Sequence, residues 1–255
     1  MTPITSPQFV VVIPAYSEAG TIRDVVSRTL DQLPRVIVID DGSSDGTAAV
    51  LKDLPITLLR HTRNLGKGAS LRRGMEQAVQ EGAGAVITLD GDGQHEPKEI
   101  PSLIEMHLRH PRAIVIGSRL HDKQSIPPAR YRANCAANFW ISWAAGQRIE
   151  DSQSGFRLYP LEIIRGETMT CTRTGGFVFE SEILIEAGRH GFPIMSVPVE
   201  AIYGRHLRRS HFRQIEDVAL IVRMVAWKLL SRGMDLPGLV RSLKAPAVRI
   251  DHGCR

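Results

Sequence analysis

Cysteine is scarce in this chain, and the three present, Cys135, Cys171 and Cys254, stand far apart. No CxxC pair occurs, so neither a disulfide framework nor a thiolate zinc site is expected, and a reducing, cytoplasmic compartment is the economical expectation. Also lacking is any run of about 18 apolar residues, the length a membrane-spanning helix needs. The opening MTPITSPQ has no basic stretch leading into an apolar core, so no secretory leader is expected there. There is no internal repeat and no low-complexity linker. No GxGxxG follows the first apolar run, which counts against a dinucleotide oxidoreductase.

What is present is a chain of 255 residues, 43% hydrophobic and 23% charged, the profile of a packed globular protein. The formal charge of +5 resembles a nucleic-acid signal until the charge is located. Residues 1–204 hold 21 Lys/Arg against 23 Asp/Glu, whereas residues 205–255 hold 11 against 4. All the excess positive charge therefore sits in the last fifth, which points to a polyanionic surface or a phosphate ligand, with no nucleic-acid partner expected. The expected division is one α/β domain over 1–204 and a basic loop with an amphipathic helical segment over 205–255.

Short apolar runs alternate with helical periods through the first 120 residues. Strands are expected at Phe9–Ile13, Arg35–Asp40, Ile56–Leu59, Ala85–Asp90 and Ala113–Ser118. Ile22, Val25, Val26, Thr29 and Leu30 recur at helical spacing, as do Leu71, Met75, Ala78 and Val79. Another helix is expected from about Pro97. This alternation predicts a mostly parallel sheet flanked by helices. Beyond Leu120 the pattern predicts a polar loop over 121–130, a helix over 131–147, a turn or strand over Asp151–Tyr159, a helix over Glu180–Arg189 and a strand over Pro193–Val199.

Ligands of such sheets bind at the carboxyl ends of the strands. There stand Pro14 to Glu18, Asp40-Asp41, Asp90 to Gln94 and Ser118-Arg119. Asp90-Gly91-Asp92-Gly93-Gln94 places two carboxylates where they can ligate one Mg²⁺ or Mn²⁺ together with substrate phosphates; a plain Asp/Gly turn is the alternative. Asp40-Asp41 reads either as a ribose or base contact or as the cap of the following turn. Lys67, between two glycines, can bring an ammonium to a phosphate.

Together the series VVIPAYSE (11–18), VIDDGSSDGT (38–47), NLGKGASLRRG (64–74), LDGDGQH (89–95), GSR (117–119) and DSQSGFRLY (151–159) resembles the family 2 glycosyltransferases of GT-A fold. Within that family the likeness is to the dolichyl- and polyprenyl-phosphate sugar transferases, over residues 9–211. The resemblance implies that Pro14, Tyr16, Glu18 and Asp41 hold the base and ribose of a nucleotide-sugar, with Lys67, Asp90 and Gly91 beside them. It implies Asp90, Asp92 and Gln94 for the metal and diphosphate. Asp92, Arg119, Asp151 and Gln153 are the implied catalytic group, with Gly155 completing the D-x-Q-x-G segment. Arg119, Arg130, Arg205, Ser210 and His211 are implied for an acceptor phosphate, with Arg132, Arg208 and Arg209 as further cations. Two departures stand out. Ser17 occupies a position where the family usually has Asn, and its R-x-x-G-x-S-K element appears as Arg205-His-Leu-Arg-Arg209-Ser210-His211, without the glycine and with His for Lys.

Departure of a sugar from a nucleotide diphosphate needs the developing charge stabilised, which a divalent ion does as Lewis acid and template. A phosphate acceptor then needs cations, whereas a hydroxyl acceptor needs a general base, for which Glu180 and Glu182 are candidates. The expectation is a metal-dependent, inverting enzyme acting on a lipid phosphate from the cytoplasmic face of a membrane. A hydroxyl acceptor is the second reading, and a non-catalytic nucleotide-binding subunit the third. Residues 212–232 read as a helix whose apolar stripe runs through Ile215, Val218, Ala219, Val222, Val225, Ala226, Leu229 and Leu230. With Arg205, Arg208, Arg209 and Arg213 before it, this resembles an interfacial helix on anionic lipid. Packing on the domain, a homo-oligomer contact and a membrane-protein partner are the alternatives.

Overall fold

Along β1 (Phe9–Ala15) the side chains alternate between two apolar layers, Val10 and Val12 into one and Val11 and Ile13 into the other. Both faces are covered, as the continuous apolar run requires of a central parallel strand. The computed structural model describes residues 9–121, 126–166, 178–200 and 214–244. β1 lies between β2 (Val36–Asp40) and β4 (Ala85–Thr88), and β3 (Thr57–Arg60) extends the sheet beyond β2. The remaining strands are β5 (Ile114–Ser118), β6 (Arg157–Pro160) and β7 (Ile194–Pro198), in the order β3-β2-β1-β4-β6-β5-β7. Only β6 runs antiparallel among the described strands, inserted between β4 and β5. The segment expected at 151–159 is therefore a turn followed by a short strand, and its reversal carries Asp151–Gly155 to the edge where the parallel strands end.

Helices α1 (Ile22–Leu30) and α3 (Ile100–Arg109) cover one face of the sheet. The other is covered by α2 (Lys67–Gln80), α4 (Pro128–Ala145), α5 (Leu161–Arg165), α6 (Val178–Arg189) and α7 (Gln214–Leu230). Where a polar loop to residue 130 was expected, α4 has already begun. Proline is well placed in its first turn, because that N–H lacks an intrahelical partner anyway.

The apolar stripe expected on α7 is divided by the packing. Ile221, Met224, Val225 and Leu229 are buried in the core with α4 and α6, while Val222, Ala226 and Leu230 of the expected stripe face outward. Lys228 secures the contact through Glu182 at 2.9 Å and Glu186 at 2.6 Å. After a short turn, α8 (Leu236–Lys244) packs against α4, an element absent from the sequence reading.

Candidate active site

The end of β1 enters a turn whose amides are fixed by the loop after β2. The N–H of Ser17 donates to Ser43 Oγ at 2.8 Å, that of Glu18 to Thr47 Oγ1 at 2.9 Å, and that of Ala19 to Asp45 Oδ2 at 3.1 Å. Ser17 is held at φ +56°, the left-handed region that non-glycine residues seldom adopt. Glu18 is buried and accepts a hydrogen bond from Thr21, which also donates to the carbonyl of Gly91 at 2.9 Å. Thr21 thus ties Glu18 and the turn after β1, which carries Pro14 and Tyr16, to the Asp90–Asp92 turn.

Asp41 faces into the protein. One carboxylate oxygen meets His61 Nδ1 at 2.7 Å and the Leu65 amide at 2.9 Å, and the other accepts from the Gly66 amide at 2.8 Å. Those bonds fix the loop that leads into α2 and so aim Lys67 across the sheet. Gly42 serves the same packing: at φ +74° its Cβ would lie 2.5 Å from the Arg63 backbone.

Lys67 Nζ sits between Asp90 Oδ1 at 2.7 Å and Glu180 Oε2 at 2.9 Å. Burial works against its charge, but the two carboxylates outweigh that and raise the ammonium above its ordinary pKa. Asp90 is only half-buried, and although partial burial disfavours its charge, Lys67 foremost holds its carboxyl below the usual range. Asp92 goes the other way, raised by burial and by the neighbouring Asp90. Its Oδ1 accepts from the Gln94 amide at 3.0 Å. His95, fully enclosed against Phe156, is pushed down to about 3 by burial and then by the Arg119 cation, and so is neutral near pH 7.

Among the described residues no group of three or more His, Cys, Asp or Glu side chains is gathered to hold a metal unaided. Asp90 and Asp92 instead offer two hard carboxylates at one strand end, which suits a divalent ion completed by substrate phosphates. The cradle is shaped for such a group. A Cβ on Gly155 would fall 2.5 Å from Asp90 Oδ2 and 2.8 Å from Lys67 Nζ.

Arg119 and Asp151 are both buried, and the Arg119 backbone N–H donates to Asp151 Oδ2 at 3.1 Å while its Nε lies 3.4 Å from the same oxygen. The other Asp151 oxygen is buried with no hydrogen-bond partner, a polar group left for a ligand to satisfy. The D-x-Q-x-G segment is held from beneath by Arg157, a fully buried cation that donates to the carbonyls of Ser152 and Ser154 at 2.7 Å each and of Glu180 at 2.8 Å. Thr88 donates to the Gly155 carbonyl at 2.8 Å, and Asn138 Oδ1 accepts from Ser152 at 2.7 Å. Gln153 is half-buried at the rim, and Arg130 and Arg132 are exposed on the first turns of α4. Arg205, Arg208, Arg209, Ser210, His211 and Arg213 lie outside the described residues.

The sequence points to no role for Arg157, His95 or Asn138, and offers Glu180 as a base or as a group that orients the sugar. A cation inside the otherwise apolar GFRLYP strand was the available signal for Arg157. Asn138 carried none, since its partner lies on another element.

The likenesses of the chain agree with this geometry. It is 28% identical to the UDP-N-acetylglucosamine–dolichyl-phosphate N-acetylglucosaminyltransferase of Methanococcus voltae, over 75% of this chain and 84% of that one. It is 26% identical to the polyprenol monophosphomannose synthase of Mycolicibacterium smegmatis, over 81% and 85%. In architecture it matches glucosyl-3-phosphoglycerate synthase of Mycobacterium tuberculosis, solved with Mn²⁺, UDP and glucosyl-3-phosphoglycerate, at a TM-score of 0.65 and 21% identity over 88% of this chain and 79% of that one. That match shows the GT-A fold. The family description "Glycosyl transferase family 2" fits residues 10–167, more than half of the chain, which therefore belongs to that family of glycosyltransferases.

Proposed function

We propose that the protein transfers a sugar from a UDP- or GDP-sugar to a polyprenyl- or dolichyl-phosphate-type lipid at the cytoplasmic membrane surface. Residues 1–204 carry the transfer, and residues 205–255 meet the membrane. Two relatives named for dolichyl phosphate and polyprenol support the choice of acceptor. The observation that carries the reading is that each candidate base commits one carboxylate oxygen to a lysine, Glu180 to Lys67 and Glu182 to Lys228. A hydroxyl acceptor needs one of these carboxylates to take its proton, whereas an ionised phosphate, with a second pKa near ~6, needs none.

Pro14, Tyr16 and Glu18 hold the nucleoside, and Asp41 keeps the adjoining loop in place. Asp90, Asp92 and Gln94 would hold Mg²⁺ or Mn²⁺, which when bound would supply Lewis-acid neutralisation of the diphosphate. Lys67 adds a fixed positive charge on the same side, while Gly91 lets its turn close on Ile22 and Gly155 lets the D-x-Q-x-G turn close on the Lys67–Asp90 pair. Arg119, kept in place by Asp151, orients the acceptor phosphate with Arg130, Arg205, Ser210 and His211, and Gln153 sits beside the sugar. A phosphate oxygen attacks the anomeric carbon as the bond to the diphosphate oxygen breaks. That single displacement inverts the centre and releases the nucleoside diphosphate.

A thermal-shift titration with UDP- and GDP-sugars tests the donor half. A ligand present at ~100 times its Kd adds about 2.7 kcal/mol of stability, and the shift is expected only with Mg²⁺ or Mn²⁺. A full shift in EDTA with the metal-binding Asp92→Asn variant and the parent alike would remove the metal from the account.

A further inference from the structure

Helix α8 presents its apolar side to the outside. It turns Gly238 and Ser242 inward, while Leu236 is 63% and Leu243 61% exposed with Val240 between them on the same face. The outer side of α7 is apolar too: Trp227 is 70% and Leu230 66% exposed beside Val222, and Arg223 is the charge among them. A helix apolar on both its inner and outer sides is a covered helix. Next to α8, α4 exposes Phe139 and Trp140, with Trp140 stacked on Trp143 at 5.5 Å. Trp143 Nε1 lies 3.2 Å from each of the carbonyls of Met234 and Asp235, so the turn between α7 and α8 joins the patches. Trp140 and Trp143 lie on α4 beside this turn, and Trp227 is exposed on α7.

The rim of this face is cationic. Arg223, Arg232, Arg241 and Lys244 are exposed around it; Arg232 pairs with Glu186, Arg241 with Asp235 and Lys228 with Glu182 and Glu186, so five cations stand against three acids and the balance stays positive. Two copies meeting through this face would set cations against cations. An anionic bilayer complements both the charge and the tryptophan-rich apolar centre.

We propose that α4, α7 and α8 form a bilayer-docking face, with α8 lying in the interface and Leu236, Val240 and Leu243 directed towards the acyl chains of an anionic membrane. The inference rests on the lipid-acceptor reading.

The test is binding of the full chain to phosphatidylglycerol–phosphatidylcholine vesicles, read by co-sedimentation and by quenching of tryptophan emission with brominated lipid. The parent is expected to bind, and to bind phosphatidylcholine alone far less. Leu236→Gln with Leu243→Gln, both outward-facing, is expected to leave the melting temperature unchanged and to weaken binding about tenfold or more. Arg241→Gln with Lys244→Gln is expected to weaken binding to the anionic vesicles and flatten its salt dependence. The proposal is overturned if the parent ignores anionic vesicles, or if the leucine variant binds as the parent does. It is equally overturned if the parent instead forms dimers that the leucine variant disperses, which makes the face an interface between copies. Transfer to a short-chain, water-soluble polyprenyl phosphate is read in parallel. A parent that transfers but ignores vesicles overturns docking alone. One that binds vesicles but transfers nothing supports docking and overturns the acceptor reading.

Discussion

Gly155 stands where any side chain would collide with the centre of the crevice, because a Cβ there would lie 2.5 Å from Asp90 Oδ2 and 2.8 Å from Lys67 Nζ. Gly155→Ala is therefore expected to displace the Lys67–Asp90 pair and to lower kcat about 100-fold or more, the scale on which a small misplacement at a reacting centre acts. Steady-state kinetics beside a melting curve checks it; an active Gly155→Ala would mean that the pair is not part of the site. Ser17 carries a different cost, a left-handed backbone at φ +56°. Asparagine tolerates that conformation better, so Ser17→Asn is expected to gain about 0.5 kcal/mol in thermal unfolding, and a loss would mean that the serine hydroxyl matters more than the backbone. Arg119→Ala removes a charge-assisted contact worth about 1.5–3 kcal/mol, and the loss is expected in transfer rather than in donor binding.

At the scale of elements, the α6–α7 contact is an ionic one laid over apolar packing. Burial raises the Glu186 pKa, but the hydrogen bond from Lys228 and the charges of Lys228 and Arg232 outweigh it and bring the carboxyl below its ordinary value of 4.5. A carboxyl with a depressed folded pKa adds stability that is complete above the unfolded value and vanishes as the pH falls through the folded one. Melting temperature is thus expected to drop below about pH 4.5 and to drop less in Glu186→Gln, which at neutral pH costs about 1–3 kcal/mol. Parallel pH profiles for parent and variant would contradict this. The parallel strands were legible because β-branched apolar runs of their length have few other homes. β6 was legible as a turn or strand but its direction was not, since the antiparallel pairing of Arg157 with Thr88 depends on long-range register that a few residues of local pattern do not encode. α8 escaped for another reason. Leu236, Leu239, Val240 and Leu243 do recur at helical spacing, but Pro237 and Gly238 fall in the first turn and weaken the local helical pattern.

For the molecule as a whole, the motifs were readable because each acidic group follows a strand, and parallel strands bring their ends to one edge whatever their order. Asp41 shows the limit: its position was legible, but its partners His61, Leu65 and Gly66 come from the loop that precedes α2 and had to be seen in three dimensions. The same applies to Glu180, a candidate base on paper and the partner of Lys67 in the fold. That pairing, with the matching one between Glu182 and Lys228, is the reason a phosphate acceptor is proposed over a hydroxyl one. The most direct measurement offers the enzyme matched polyprenyl phosphate and polyprenol with one labelled nucleotide-sugar and a divalent cation. Transfer to the phosphate alone, with Glu182→Gln retaining substantial activity, is the predicted result. Transfer to the alcohol and not to the phosphate would contradict the account.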